Sequence, residues 1–167
     1  MRLLARPNVF RDELQEMPGD AGFKARMASV GMAAGAQRLG ATVYELGPGE
    51  CPFPYHFHRA IEELLVVLSG RPTLRTPEGE RELGEGSVVA FRPGPAGAHQ
   101  LINRGEEPTR YVMFSTRRLP DMVQYPDSGK VGIASFPQEG DEGPGPVRFM
   151  FKADSAVGYY DDEQAPS

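Results

Sequence analysis

The chain has no tryptophan, one cysteine, three histidines and, among its 18 basic residues, no lysine besides Lys24, Lys130 and Lys152. A single thiol, Cys51, cannot close an internal disulfide, so no cystine framework holds the fold. Such a thiol suits a reducing, cytoplasmic setting and defaults to a small buried apolar side chain. No run of basic residues exceeds the pair Arg117-Arg118, and the net charge is -5. Attraction to phosphate is therefore weak, and neither nucleic acid nor an anionic membrane is an expected partner. Long apolar runs are also missing: Leu3-Leu4-Ala5 is broken by Arg6 and Pro7, and no stretch approaches the roughly 18 residues of a membrane span. The expectation is a soluble, unprocessed chain that takes a small molecule.

What the sequence does have is punctuation. Twenty glycines and 16 prolines are scattered along 167 residues of which 40% are apolar. That is enough for one core but short for two, with many short elements joined by tight turns, so a single all-β domain over residues 1–167 is expected. Residues 38–46 carry β-branched and aromatic side chains and end at Gly47-Pro48-Gly49, which reads as a strand. Leu64-Leu65-Val66-Val67-Leu68 is a continuous apolar run of strand length, expected in mid-core with both faces covered. Residues 72–76 and 81–83 suggest a hairpin around Pro77-Glu78-Gly79-Glu80; residues 87–91, 99–102 and 109–116 follow as further strands. This succession of short strands is the sequence form of a sandwich or barrel. Arg11 to Met17 reads as one or two helical turns stopped by Pro18-Gly19-Asp20. Beyond residue 117 the pattern weakens: Tyr125 to Lys130 is turn chemistry, residues 139–146 an acidic loop, residues 147–151 one more strand, and the polar end from Tyr160 is expected to fray.

Chemistry is expected at the histidines. On a strand, residues two apart share a face, so His56 and His58 can aim two imidazoles at one point from backbone positions about 6–7 Å apart. His99, from a later Pro/Gly loop, can supply a third nitrogen, and the pair Glu62-Glu63 a carboxylate. Nitrogen and oxygen donors suit Zn, Fe, Mn, Ni, Cu or Co better than an ion that seeks thiolates. Strict alternation from His58 favours Glu62, whereas a turn at Arg59-Ala60-Ile61 resets the parity and favours Glu63; local pattern leaves both open. Tyr55 and Glu62 are further candidates for the ligand pocket, with Tyr55 also readable as a packing residue. Met27, Met32 and Met113 read as core filler rather than copper ligands, and the Arg117-Arg118 and Arg104 to Glu107 segments as solvated charge.

Two motifs in order resemble those of the cupin superfamily. Gly49, His56, His58, Glu63 and Gly70 match the first, with one extra residue after Gly49, and its six-residue gap before Gly70 selects Glu63 over Glu62. Gly86, Pro95-Ala96-Gly97, His99 and Asn103 match the second, with a longer stretch from Gly86 to Pro95 and one residue rather than two before His99. The resemblance spans about residues 38–116 and extends to small bacterial cupins loosely called sugar-isomerase-like. It implies a jelly-roll β-barrel with short irregular N- and C-terminal extensions, frequently a homodimer. Inside it, His56, His58, Glu63 and His99 would hold a divalent transition metal. Four protein ligands on a six-coordinate ion leave two positions for a small hydroxy-carbonyl, sugar-like or carboxylate ligand. The implied activity is a metal-dependent dioxygenase or isomerase. The alternatives are a non-catalytic binding or sensor module and a metal-free barrel whose histidines touch substrate directly.

Overall fold

The computed structural model describes residues 6–17, 19–135 and 147–165. Its strands are β1 (Gln15–Glu16), β2 (Arg26–Ala28), β3 (Leu39–Leu46), β4 (Phe57–His58), β5 (Glu63–Ser69), β6 (Thr73–Thr76), β7 (Gly79–Glu82), β8 (Val88–Phe91), β9 (Gln100–Ile102), β10 (Thr109–Thr116), β11 (Asp121–Tyr125), β12 (Lys130–Ser135) and β13 (Val147–Lys152). The one α-helical turn described is α1 (Val30–Ala33). The strands form a six-stranded sheet in the order β1-β2-β3-β10-β5-β8, a four-stranded sheet β13-β12-β11-β4 and a three-stranded sheet β7-β6-β9. Every strand pairing is antiparallel. Hairpins join consecutive strands within a sheet and turns and loops, rather than helical crossovers, carry the chain from sheet to sheet, as the dense turn residues demand.

The core lies between the sheets. Leu46 on β3, Leu65 and Val67 on β5, Leu74 on β6, Phe91 on β8, Leu101 on β9 and Tyr111 on β10 form its main cluster. A second cluster, Val30, Val43 and Val112, sits on the outer face of the large sheet under Val9, Leu14 and Ala28. Alternation explains the split: Val43 and Val112 pair across β3 and β10, while Tyr44 and Tyr111, next along, turn inward. Gly70 ends β5 at φ +78°, where a Cβ would stand 2.8 Å from the Pro108 carbonyl oxygen; only glycine fits.

Four expectations change. Residues 11–17 are not helical: the Asn8 carbonyl accepts from the Arg11 and Asp12 amides, and Gln15 pairs with Met27 in β1. A seven-residue helix gains too little to nucleate, whereas a strand against β2 lets Leu14 tuck under the sheet. The apolar run of β5 is paired on both sides, between β10 and the edge strand β8, but is covered fully on one face alone, since Leu64 is 38% exposed. Met32 stands out from α1 at 69% exposure rather than filling core; Met113 does pack against the core. The segment after residue 117 is more ordered than its pattern suggests, because β11 and β12 form a hairpin around the Tyr125 to Lys130 turn and β11 pairs with β4. The acidic stretch 139–146 lies outside the described residues, and residues 153–165 are exposed. Among the described residues, no helix is long and apolar enough to cross a membrane.

Candidate metal centre

Three separate backbone devices bring the histidines together. His56 and His99 form a reciprocal antiparallel bridge, His99 N donating to the His56 carbonyl at 2.9 Å and His56 N to the His99 carbonyl at 3.2 Å. The 3-10 turn at Pro95–Gly97 sets up His99; a Cβ on Gly97 would meet the Arg92 carbonyl oxygen at 1.9 Å, so the loop can close only with glycine there. His58, the last residue of β4, is held by pairing with Val123 of β11 and by the Gly94 amide, which donates to its carbonyl at 2.7 Å. Glu63 opens β5 between Ser115 of β10 and Phe91 of β8.

The side chains converge. Ligand atoms of His56, His58 and Glu63 all lie within 4.8 Å of one another. Glu63 Oε2 is 3.4 Å from His58 Nε2 and 3.3 Å from His99 Nε2. The His56 and His99 rings are 4.7 Å apart, and Phe91 stacks flat on His99 at 3.8 Å. Of the two glutamates, Glu63 turns inward. Glu62 is exposed, its amide bound to Thr116 Oγ1 at the edge of the sheet. The turn at 59–62 thus resets the alternation after β4.

The second nitrogen of each ring points away from Glu63. Nδ1 of His56 meets the Pro54 carbonyl at 2.8 Å, that of His99 the Gly97 carbonyl at 3.0 Å, and that of His58 the Asp121 carboxylate at 2.6 Å. All three partners are acceptors, so each Nδ1 carries a proton to donate, which fixes the tautomer and aims the Nε2 lone pairs inward. At the focus, Glu63 Oε2 is buried with no well-directed hydrogen-bond donor. A buried carboxylate oxygen left without a partner is costly, and a cation is the group that would relieve it. The imidazole nitrogens of His56 and His58 and the Glu63 carboxylate could hold a metal ion by donor chemistry as well, with His99 Nε2 beside Glu63.

Electrostatics agree with a site built for positive charge. Burial, then repulsion from His99 and His58, brings His56 down to about 4, so its ring stays neutral near pH 7. Burial would also lower His58, but Asp121 and Glu63 beside it outweigh that and leave it above its ordinary value. Glu63 would be raised by burial, yet the surrounding imidazoles, His99 foremost, hold its carboxyl below the usual range. Asp121 follows the same logic: burial raises it, and its bond to His58 with the Ala60 amide at 3.0 Å brings it down on balance.

Beside the donors is a chamber of about 40 Å³ walled by Tyr44, Pro52, Phe53, Gln100, Leu101, Tyr111 and Met113. Tyr44 stacks on Tyr111 at 5.3 Å; burial and the Glu63 charge push its phenol up to about 12. Tyr55 lies elsewhere, packed with Phe57 and Ala98 under the Arg75 guanidinium. Cys51 is half-buried at the edge of this region, its thiol donating to the Phe53 carbonyl and accepting from Gln100. Asn103, from the second motif, is structural: its amide ties the Leu46 and Glu107 carbonyls and so closes two loops. Sequence reasoning missed Asp121, Phe91 and the chamber wall. Asp121 carried no usable signal, because its link to His58 spans 63 positions. Tyr44 was findable, since alternation from Leu46 places it on the inner face.

Residues 42–115 match the family model for the cupin domain. No curated protein matches the chain. Among solved structures, a protein provisionally named a sugar phosphate isomerase from Acidithiobacillus ferrooxidans is similar, with 24% identity, a TM-score of 0.75 and coverage of 90% of this chain and 91% of that one. A sugar phosphate isomerase of the cupin superfamily from Silicibacter pomeroyi is 23% identical with a TM-score of 0.68, covering 82% of each chain. The polyketide cyclase RemF from Streptomyces resistomycificus is 22% identical with a TM-score of 0.59, covering 71% of this chain and 84% of that one. At such identities the likeness speaks for fold. The chain thus has the antiparallel β-roll of these solved cupin structures, and its residues 42–115, which hold both histidine motifs, match the cupin domain.

Proposed function

We propose that the chain holds one divalent transition metal through Nε2 of His56, His58 and His99 and the carboxylate of Glu63, and that it binds a small oxygenated molecule beside them. The observation that carries this is the buried Glu63 Oε2, which has no well-directed hydrogen bond and lies 3.4 and 3.3 Å from Nε2 of His58 and His99, rings whose Nδ1 atoms, like that of His56, are already committed elsewhere. The ion, when bound, supplies Lewis acidity toward a carbonyl or enolate oxygen and, if redox-active, access to dioxygen. His56 and His99, tied by their bridge, and His58, tied to Asp121, hold the donors at fixed spacing without reorganisation. Phe53, Met113 and Leu101 exclude water, and Tyr44 offers a neutral phenol for hydrogen bonding.

The reading is of a metal-dependent enzyme of the dioxygenase or isomerase type. Of the two, dioxygenase chemistry is better supported. An isomerase needs a base outside the ligand set, and the chamber wall has no carboxylate, lysine or free imidazole among the described residues. Elemental analysis of purified protein should find about one equivalent of metal per chain, abolished in H56A/H58A; a full equivalent retained in that variant would reject the site. Oxygen uptake and isomer exchange across small hydroxy-carbonyl compounds then separate the two reactions from a binding or sensor role, which would give neither.

A further inference from the structure

An unbroken apolar strand such as β5 belongs between two covers, and within the chain it has one complete cover. Alternation sends Leu65 and Val67 into the core and Leu64, Val66 and Leu68 to the outer face of the six-stranded sheet. The two halves of that face differ. Over β3 and its neighbours, Val9, Leu14 and Val30 pack down on Val43 and Val112. Toward β8 this cover ends, and Leu39, Leu64, Val88, Ala90 and Phe114 are exposed. They form one strip: Leu64 lies opposite Phe114 and Ala90, Val88 lies opposite Val66, and Leu39, Leu64, Ala90 and Phe114 line a single open groove. A soluble sheet face with no cover alternates apolar with polar, and this one does not.

The charges around the strip are sorted by end. Arg92 follows β8 and Arg117 follows β10, with Arg38 beside Arg117, whose amide donates to its carbonyl; Glu62 lies among them. At the opposite end Glu85 precedes β8, and Glu106 and Glu107 precede β10. Arg26 and Arg110 at that end are already closed on Glu45. Arg92, Arg117, Glu85, Glu106 and Glu107 are all exposed, and none has an ion-pair partner among the described residues. The strip is therefore apolar in the middle, basic at one end and acidic at the other.

We propose that this strip is the surface on which a second copy of the chain packs, sheet face on sheet face, about a two-fold axis that crosses the strands at right angles. That rotation lays β10, β5 and β8 on their own counterparts with the ends reversed, so the whole bare strip covers itself. It also sets Arg92 toward Glu85 of the other copy and Arg117 toward Glu107, and does so twice. Neighbouring strands about 4.8 Å apart give an apolar centre roughly 15 Å across, which with its charged ends suits an interface burying about 800 Å² per partner. None of these side chains is among the proposed metal donors, so the assembly does not depend on zinc.

Analytical ultracentrifugation of the full chain tests this, with and without zinc. Wild type should sediment as a dimer with a dissociation constant of about 1 μM or below. V88K/A90K puts lysines on an exposed edge strand, which tolerates them, and should weaken the dimer about 100-fold while far-ultraviolet β signal is kept. E85R and R92E, both outside the strands, should each weaken it about threefold or more, and E85R/R92E should recover wild-type affinity. Residues 85 and 92 stand roughly 23 Å apart along one strand, so that recovery can come only through the other copy. F149K/M150K, on the exposed strand β13, should leave the dimer intact. The inference is overturned if wild type is monomeric at about 100 μM, if V88K/A90K dimerises as tightly as wild type, if F149K/M150K dissociates the dimer, or if E85R/R92E is no tighter than either single reversal. Should V88K/A90K fail to fold, the charge reversals decide alone.

Discussion

At the residue scale the contact with the largest consequence is the 2.6 Å bond between His58 Nδ1 and Asp121. It orients a ring whose neighbour in sequence and strand gives it no other side-chain anchor. Replacing Asp121 by alanine should weaken metal binding about 10- to 100-fold, and D121N, which keeps an acceptor, should lose less. Competition against a chelator of known affinity measures both; unchanged affinity in D121A would show that β4 alone fixes the ring.

Protonation gives a second residue-scale prediction, for the metal-free protein. His56 is depressed to about 4 in the folded state from an ordinary value of 6.5, so its contribution is present above pH 6.5 and is lost as pH falls toward 4. The loss is of the order of 3 kcal/mol. His58 has the opposite sign: being raised, it stabilises below pH 6.5, and that contribution disappears as pH climbs through its folded value. Metal-free protein should therefore be most stable near pH 6.5, as read from urea midpoints across pH. Metal binding releases the His58 proton, so apparent metal affinity should rise with pH over the same upper window.

At the element scale the sheet β13-β12-β11-β4 decides how complete the site is. Deleting residues 117–165 removes the partner strand of β4 and the carboxylate behind His58, while the main cluster, none of whose residues lies beyond 116, keeps its own contacts. The truncated chain is expected to keep far-ultraviolet β signal but to bind zinc at least about tenfold more weakly. This also marks where the sequence could and could not be read. Strand-type residues and turn signals located β3, β6 and β10, a continuous apolar run located β5, and the H-x-H spacing brought His56 and His58 together, while Glu63 was favoured over Glu62 only by the resemblance to the first cupin motif. β11 and β12 were not legible, because their mixed polar pattern owes its order to pairing with β4 and β13 rather than to a buried face of its own. Residues 11–17 misled for the same reason: local helix preference was outweighed by a tertiary partner, β2. Tyr55, a candidate for the pocket, sits in a different cluster because strand alternation sends it to the side opposite His56.

For the whole molecule the prediction concerns linkage. His58 lies on β4 and Glu63 on β5, strands of two different sheets, with His56 just before β4, so an ion held by these three would add a link to sheets that the His56–His99 bridge already helps to tie. Zinc at about 100-fold excess over its dissociation constant should add roughly 2.7 kcal/mol to stability and raise the melting temperature. H56A/H58A should show no such rise; a similar rise would place the stabilising ion elsewhere.

The bridge between His56 and His99 carries one more consequence. Because each of these residues donates its amide to the other's carbonyl, the two cannot be exposed to solvent separately. Their backbone protons should exchange for deuterium at a common rate, set by a single opening event, and that shared rate is a clock for how often the two motifs part company.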